Sequence, residues 1–179
     1  MEIALHYSAR LRTYRQLDEL IEEVAGLAKE INWPFFLVDE KKLKGIVLTP
    51  KKCDPFYFCF TKDGRTCCPE KIKTRKPTDE FFSKVHVTTM WAGSEVHMGL
   101  TELLRYVSEK YFAEISVLDE AGYWKNRNKK DLRYAFGKIE HIGDTLLENH
   151  EWENAVVEEP PDSIAARVER LIRERRDGS

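Results

Sequence analysis

The stretch from Val85 to Val117 constrains this chain most, because its apolar period changes twice. Val85, Val87, Thr89 and Trp91 alternate with His86, Thr88 and Met90, which is the period of a β-strand with two distinct faces. Ala92-Gly93 turns the chain, and Ser94 stands where a helix N-cap belongs. Val96, Leu100, Leu103, Leu104, Val107 and Tyr111 then recur at helical spacing. Ile115 and Val117 return to strand alternation. This order predicts a β-α-β unit with parallel strands and a right-handed crossover.

The N-terminal part has the same plan. Ile3, Leu5 and Tyr7 alternate with polar neighbours, so His6 falls on the opposite strand face. Thr13-x-x-Gln16 has the pattern of a capping box. Leu17, Leu20, Ile21, Val24, Leu27, Ala28 and Ile31 make one helical stripe, which Asn32 and Pro34 end. Phe35–Val38, Lys44–Thr49 and the Phe56, Phe58, Phe60 face read as further strands. Asp63-Gly64 predicts a two-residue hairpin turn, which would set Phe60 opposite Cys67 and Cys59 opposite Cys68.

The expected class is therefore α+β: an antiparallel or mixed sheet of two split β-α-β units, ferredoxin-like or related, with an inserted β-hairpin and helices packed on the sheet. Asn128 is the expected cap of a later helix with Leu132, Phe136, Ile139, Ile142, Gly143, Leu146 and Leu147 on its apolar face. Glu158-Glu159-Pro160-Pro161 breaks the chain before a last helix that Asp162 would cap and that holds Ile164, Val168, Leu171 and Ile172. Residues 1–157 read as one α+β domain, and 158–179 as a Pro-linked C-terminal helix and tail, docked or frayed.

Composition narrows the function classes. At 42% apolar residues the chain has material for a core, and no run approaches the ~18 apolar residues of a membrane span. The first residues lack the pattern of a signal peptide, so the expectation is a cytoplasmic protein with reduced thiols. Cys53, Cys59, Cys67 and Cys68 contain no C-x-x-C pair, and no H-E-x-x-H occurs, so neither a metal nor a cofactor is expected. The net charge of −2 gives no global attraction to nucleic acid. Basic runs at Lys71, Lys73, Arg75, Lys76 and at Lys125, Lys129, Lys130 are the residues such a binder would use, and an acidic stretch follows from Glu148 to Asp162.

The candidate site lies where the two parallel strands end. Gly93 and Ser94 open the central helix, and His97 lies in its first turn. The loop Asp119-Glu120-Ala121-Gly122-Tyr123-Trp124 leaves the second strand at the same sheet edge. His97 is the candidate general acid or base, with Asp119 or Glu120 orienting it. Gly93, Ser94, Tyr123 and Trp124 are the candidate ligand-binding residues. The reading favoured is a non-catalytic binding or regulatory module for a protein or small molecule at this corner. A small hydrolase or transferase using His97 is the second reading, and a nucleic-acid binder the third. A homo-oligomer through the C-terminal helix is a further expectation.

Overall fold

The computed structural model describes residues 2–144 and 163–178, with side chains up to Ile139 and from Ser163. The expected stripe positions Ile142 and Gly143 fall in a described helix but beyond the described side chains, and Leu146, Leu147, the acidic stretch and the Pro160-Pro161 breaker lie outside the described residues. The fold is α+β, with two three-stranded antiparallel sheets.

The first sheet has the order β5-β1-β6, from β1 (Ala4–Leu11), β5 (Val85–Thr88) and β6 (Phe112–Asp119). His6 of β1 pairs with His86 on one side and with Leu118 on the other. Both neighbours run antiparallel to β1, so β5 and β6 are parallel to each other but separated by it. With α3 (Ser94–Tyr111) crossing between them, this is the expected split β-α-β unit.

The second sheet is a meander of β2 (Phe35–Asp39), β3 (Lys44–Leu48) and β4 (Phe56–Phe60). β2 pairs with β3 and not with β1, so the β1-α1-β2 unit does not close within one ladder. The pairing thus contains one split unit without the single sheet of a ferredoxin-like arrangement. A short segment ties the two sheets together. Thr66 donates its N–H to Ala9 O at 2.9 Å, its hydroxyl accepts from Ala9 N at 3.0 Å, and Phe60 bridges to Thr66 on its other side.

That tie corrects the expected hairpin register by one residue. Thr61 N donates to Arg65 O and Gly64 N to Thr61 O, each at 2.9 Å, which encloses Lys62, Asp63 and Gly64 in a three-residue loop. Only Gly64 takes a positive φ, +84°, as the left-handed residue of such a loop requires. Asp63 instead accepts from the Thr61 hydroxyl and from Arg65 Nε. Phe60 consequently opposes Thr66, and Cys67 donates to Cys59 O at 3.0 Å. All four thiols are free.

The inner faces of both sheets share one core. Leu5, Tyr7, Ile46, Phe56 and Phe58 meet Leu20, Val24 and Leu27 of α1 (Leu17–Glu30) and Leu100, Leu104 and Val107 of α3. Burying each such side chain stabilises the fold by roughly 1.5–3 kcal/mol. The outer face of the second sheet has its own cluster. Val38, Val47, Cys59 and Cys67 pack there beneath Phe82, with Ile72 of α2 (Pro69–Thr74) against them.

A last layer covers α1 and α3. α6 (Ile164–Asp177) is capped by Ser163, whose hydroxyl accepts from Ala166 N at 3.1 Å, in place of the expected Asp162. Its Val168 and Ile172 enter the main core, so its apolar stripe docks on its own chain. Gly99 of α3 allows this approach: a Cβ there would stand 3.1 Å from the Trp33 ring and 3.3 Å from Val168. Among the described residues no helix is long and apolar enough to cross a membrane.

Candidate functional site

The ends of β1, β5 and β6 converge on α3, as the order of elements predicts. The helix begins after Gly93, which adopts φ +95°, and no side chain caps it. Ser94 is thus the first helical residue and not the cap, because the positive φ places the turn at Gly93. Beyond it, Glu95 accepts from Arg133 at 3.2 Å and from Ala165 N at 3.3 Å, which fastens α5 (Lys129–Asp144) and α6 to the start of α3.

His97 is completely buried, at 0% exposure. Its Nδ1 lies 2.8 Å from the Thr89 hydroxyl, and its Nε2 lies 3.1 Å from Asp119 Oδ1. The second contact is not aligned as a hydrogen bond, so it acts through charge and proximity. The Thr89 hydroxyl also donates to Ile3 O at 3.3 Å, so the direction of its bond with Nδ1 follows from the imidazole tautomer. Phe136 of α5 closes the other side, its ring centroid 5.5 Å from that of His97. Burial alone pushes the Asp119 carboxyl up, but the His97 ring and the N–H groups of Trp124 and Ala121 outweigh it, so its pKa is lowered. Those N–H groups donate at 2.8 and 2.9 Å.

The arrangement has the order of a carboxylate-imidazole-hydroxyl relay, but no atom of it faces solvent. Thr89 and His97 are 0% exposed and the Asp119 side chain 1%. It clasps the ends of β5 and β6 to α3. Glu120 does not join it: that carboxylate turns to the opposite sheet face, accepting from Ala4 N at 3.1 Å and standing 3.5 Å from His6 Nε2. His6 in turn stacks on His86 at 4.6 Å.

The aromatic pair after Asp119 separates. Tyr123 begins the short α4 (Tyr123–Asn126) and is buried, its hydroxyl donating to Glu102 at 3.2 Å. Trp124 is half-buried beneath the Arg105 guanidinium, 4.5 Å from its ring centre. No exposed aromatic patch is formed by the two.

Tyr123 leads instead to a cleft of about 330 Å³ between α3, α4 and α6. At its base Glu102, only 5% exposed, accepts from Tyr123 and from Arg127 at 2.8 Å. Arg127 reaches it from a left-handed backbone conformation, φ +50°, which is uncommon for a non-glycine residue. Lys129 is paired with Glu169 at 3.0 Å and Arg176 with Glu109 at 2.6 Å. Arg173 lines the same cleft, is exposed, and has no hydrogen-bond or ion-pair partner among the described residues. Sequence reasoning missed Glu102, Arg127 and Arg173. The available signal was Glu102-x-x-Arg105, a charged pair within the apolar run of α3.

The two basic runs belong to different layers. Lys71 and Lys73 lie in α2 and Arg75 and Lys76 follow it, on the outer face of the second sheet, where Lys71 donates to Lys84 O and Arg75 pairs with Asp79 at 2.8 Å. A wider hollow of about 490 Å³ lies at Thr74–Asp79, but a single surface loop forms it. Lys125, Lys129 and Lys130 belong to the helical layer on the other side, around α4 and α5. Among the described residues no group of His, Cys, Asp and Glu side chains is placed to hold a metal ion.

Comparison of the chain with protein-family models, with curated proteins and with solved structures finds no match. Fold and site together define an α+β protein with a sealed Asp119–His97–Thr89 clasp and an adjoining charged cleft.

Proposed function

We propose that this protein is a non-catalytic binding module, and that it takes a small acid-bearing molecule in the cleft beside Tyr123. The observation that carries the reading is Arg173, an exposed guanidinium with no hydrogen-bond or ion-pair partner among the described residues, in a cleft whose other cations, Arg127, Lys129 and Arg176, each pair with a carboxylate. Guanidinium groups recognise carboxylates and phosphates through paired N–H donors. Tyr123 and Ile172 supply apolar wall, and the Glu102–Arg127 pair fixes the floor. Regulation or sensing suits such a module better than turnover, since the imidazole that turnover would use is enclosed.

The enzyme reading would require α5 to lift away from His97, and the nucleic-acid reading would require the separated basic runs to act as one surface. Neither has an observation of its own in its favour. The test is an amide NMR titration of the full chain with inorganic phosphate, citrate and adenosine monophosphate. Saturable shifts centred on Tyr123, Arg127 and Ile172 are expected for at least one of them. Shifts centred on Lys71–Lys76, or no saturable shift at millimolar concentration, would overturn the reading.

A further inference from the structure

β2 is an edge strand, paired with β3 on one side only. Its hydrogen-bonding phase is set at both ends. Thr49 N donates to Pro34 O and Glu40 N to Leu43 O, each at 2.8 Å, so Pro34, Phe36, Val38 and Glu40 direct their backbone groups to β3. By strand alternation Phe35, Leu37 and Asp39 direct theirs outward. Among the described residues none of those outward groups has a backbone partner.

The same strand exposes two adjacent large apolar side chains, Phe36 at 49% and Leu37 at 60%, on opposite faces. Edge strands are commonly blunted by a charge, a proline or a bulge within the strand. Phe35–Val38 has none of these; Pro34 and Asp39 only flank it. Of the two outer strands of the other sheet, β5 has no exposed large apolar residue, and along β6 Glu114 and Ser116 are exposed and Leu118 is the only exposed large apolar residue.

We propose that a second copy of this chain pairs its β2 antiparallel to this one, about a two-fold axis at Leu37. The two second sheets then join as β4-β3-β2-β2-β3-β4. In this register Leu37 meets the partner's Leu37, Phe36 meets the partner's Val38 and Phe35 meets the partner's Asp39. It uses every outward N–H and C=O of the strand and sets no like charges opposite each other. Aromatic residues against β-branched ones are favourable cross-strand pairs. The contact is isologous, so it closes at two copies and leaves no open edge at β2.

The proposal is tested on the full chain by light scattering after size exclusion and by amide hydrogen exchange. The expected mass is about twice the 21.0 kDa of the chain. The Leu37 N–H should gain protection as protein concentration rises, while the Phe36 N–H, already bonded within the ladder, should not change. Leu37→Lys sets two ammonium groups together at the axis and should weaken the dimer at least ~10-fold, with its melting temperature at low concentration close to that of the wild type. Phe36→Lys, also at an exposed position, should do the same. A monomer at all concentrations overturns the proposal, as does a dimer that neither substitution weakens, or a Leu37 amide that stays unprotected in the dimer.

Discussion

His97 Nε2 and Asp119 Oδ1 lie 3.1 Å apart with side chains 0% and 1% exposed, so a pair that resembles catalytic machinery is closed off from any substrate. What the pair does in the closed protein is hold the end of β6 to the first turn of α3.

The clasp has a measurable weight. Replacing His97 with Ala leaves a cavity beside Phe136 and removes the imidazole that stands between the Thr89 hydroxyl and the Asp119 carboxylate. The expected loss is about 2–4 kcal/mol of unfolding free energy. Thr89→Val, which keeps the volume, is expected to cost about 1 kcal/mol. Urea denaturation reads both, and a His97→Ala protein as stable as the wild type would show that the clasp holds nothing.

Asp119 makes part of the stability depend on acid. Its folded-state pKa is depressed below its unfolded value, so its contribution is present above the unfolded value of about 3.9 and is lost as pH falls through the folded one. The stability gap between wild type and Asp119→Asn should therefore be widest near neutrality and shrink below about pH 4. Equal gaps at pH 6 and pH 3 would contradict this.

Glycine substitutions separate packing from propensity. A Cβ on Gly45 would stand 2.0 Å from Phe58 O and 2.5 Å from the Cys59 Cα, both backbone atoms of the neighbouring strand. Gly45→Ala should destabilise by roughly 3 kcal/mol, at the upper end for overpacking. Gly137 in α5 has nothing within 4 Å of a built Cβ. Gly137→Ala should stabilise by up to about 1 kcal/mol, since alanine is the better helix former. Thermal unfolding of the two variants should move in opposite directions.

The thiols should be inert while the protein is folded. Burial pushes Cys53 up to about 12 and Cys67 up to about 11, and it raises Cys59 as well. Native-state reaction with a disulfide reagent at pH 8 should follow opening of the fold, and rapid labelling of Cys59 or Cys67 in the folded protein would count against this packing.

Periodicity carried much of the fold. The stripes of α1 and α3 and the alternation of β1 are local patterns, and each is found where its spacing puts it. The hairpin register was not legible, because the choice between two-residue and three-residue loops rests on what Asp63 bonds. The partner of β2 was not legible either, because pairing between distant strands leaves no local mark. At the site, the meeting of His97 with Asp119 followed from topology. Its enclosure did not, because Phe136 arrives from a helix far along the chain, and the cleft depends on α6 returning over α3.

The claim that binding belongs to the cleft and not to the enclosed corner is tested by one comparison of dissociation constants. Of phosphate, citrate and adenosine monophosphate, the tightest binder should lose at least ~10-fold in affinity on Arg173→Ala, which removes the guanidinium that meets the acid group. It should change less than about threefold on His97→Gln, which leaves the cleft walls in place. Loss of binding on His97→Gln with Arg173→Ala unaffected would contradict the account and return the function to the corner at Asp119.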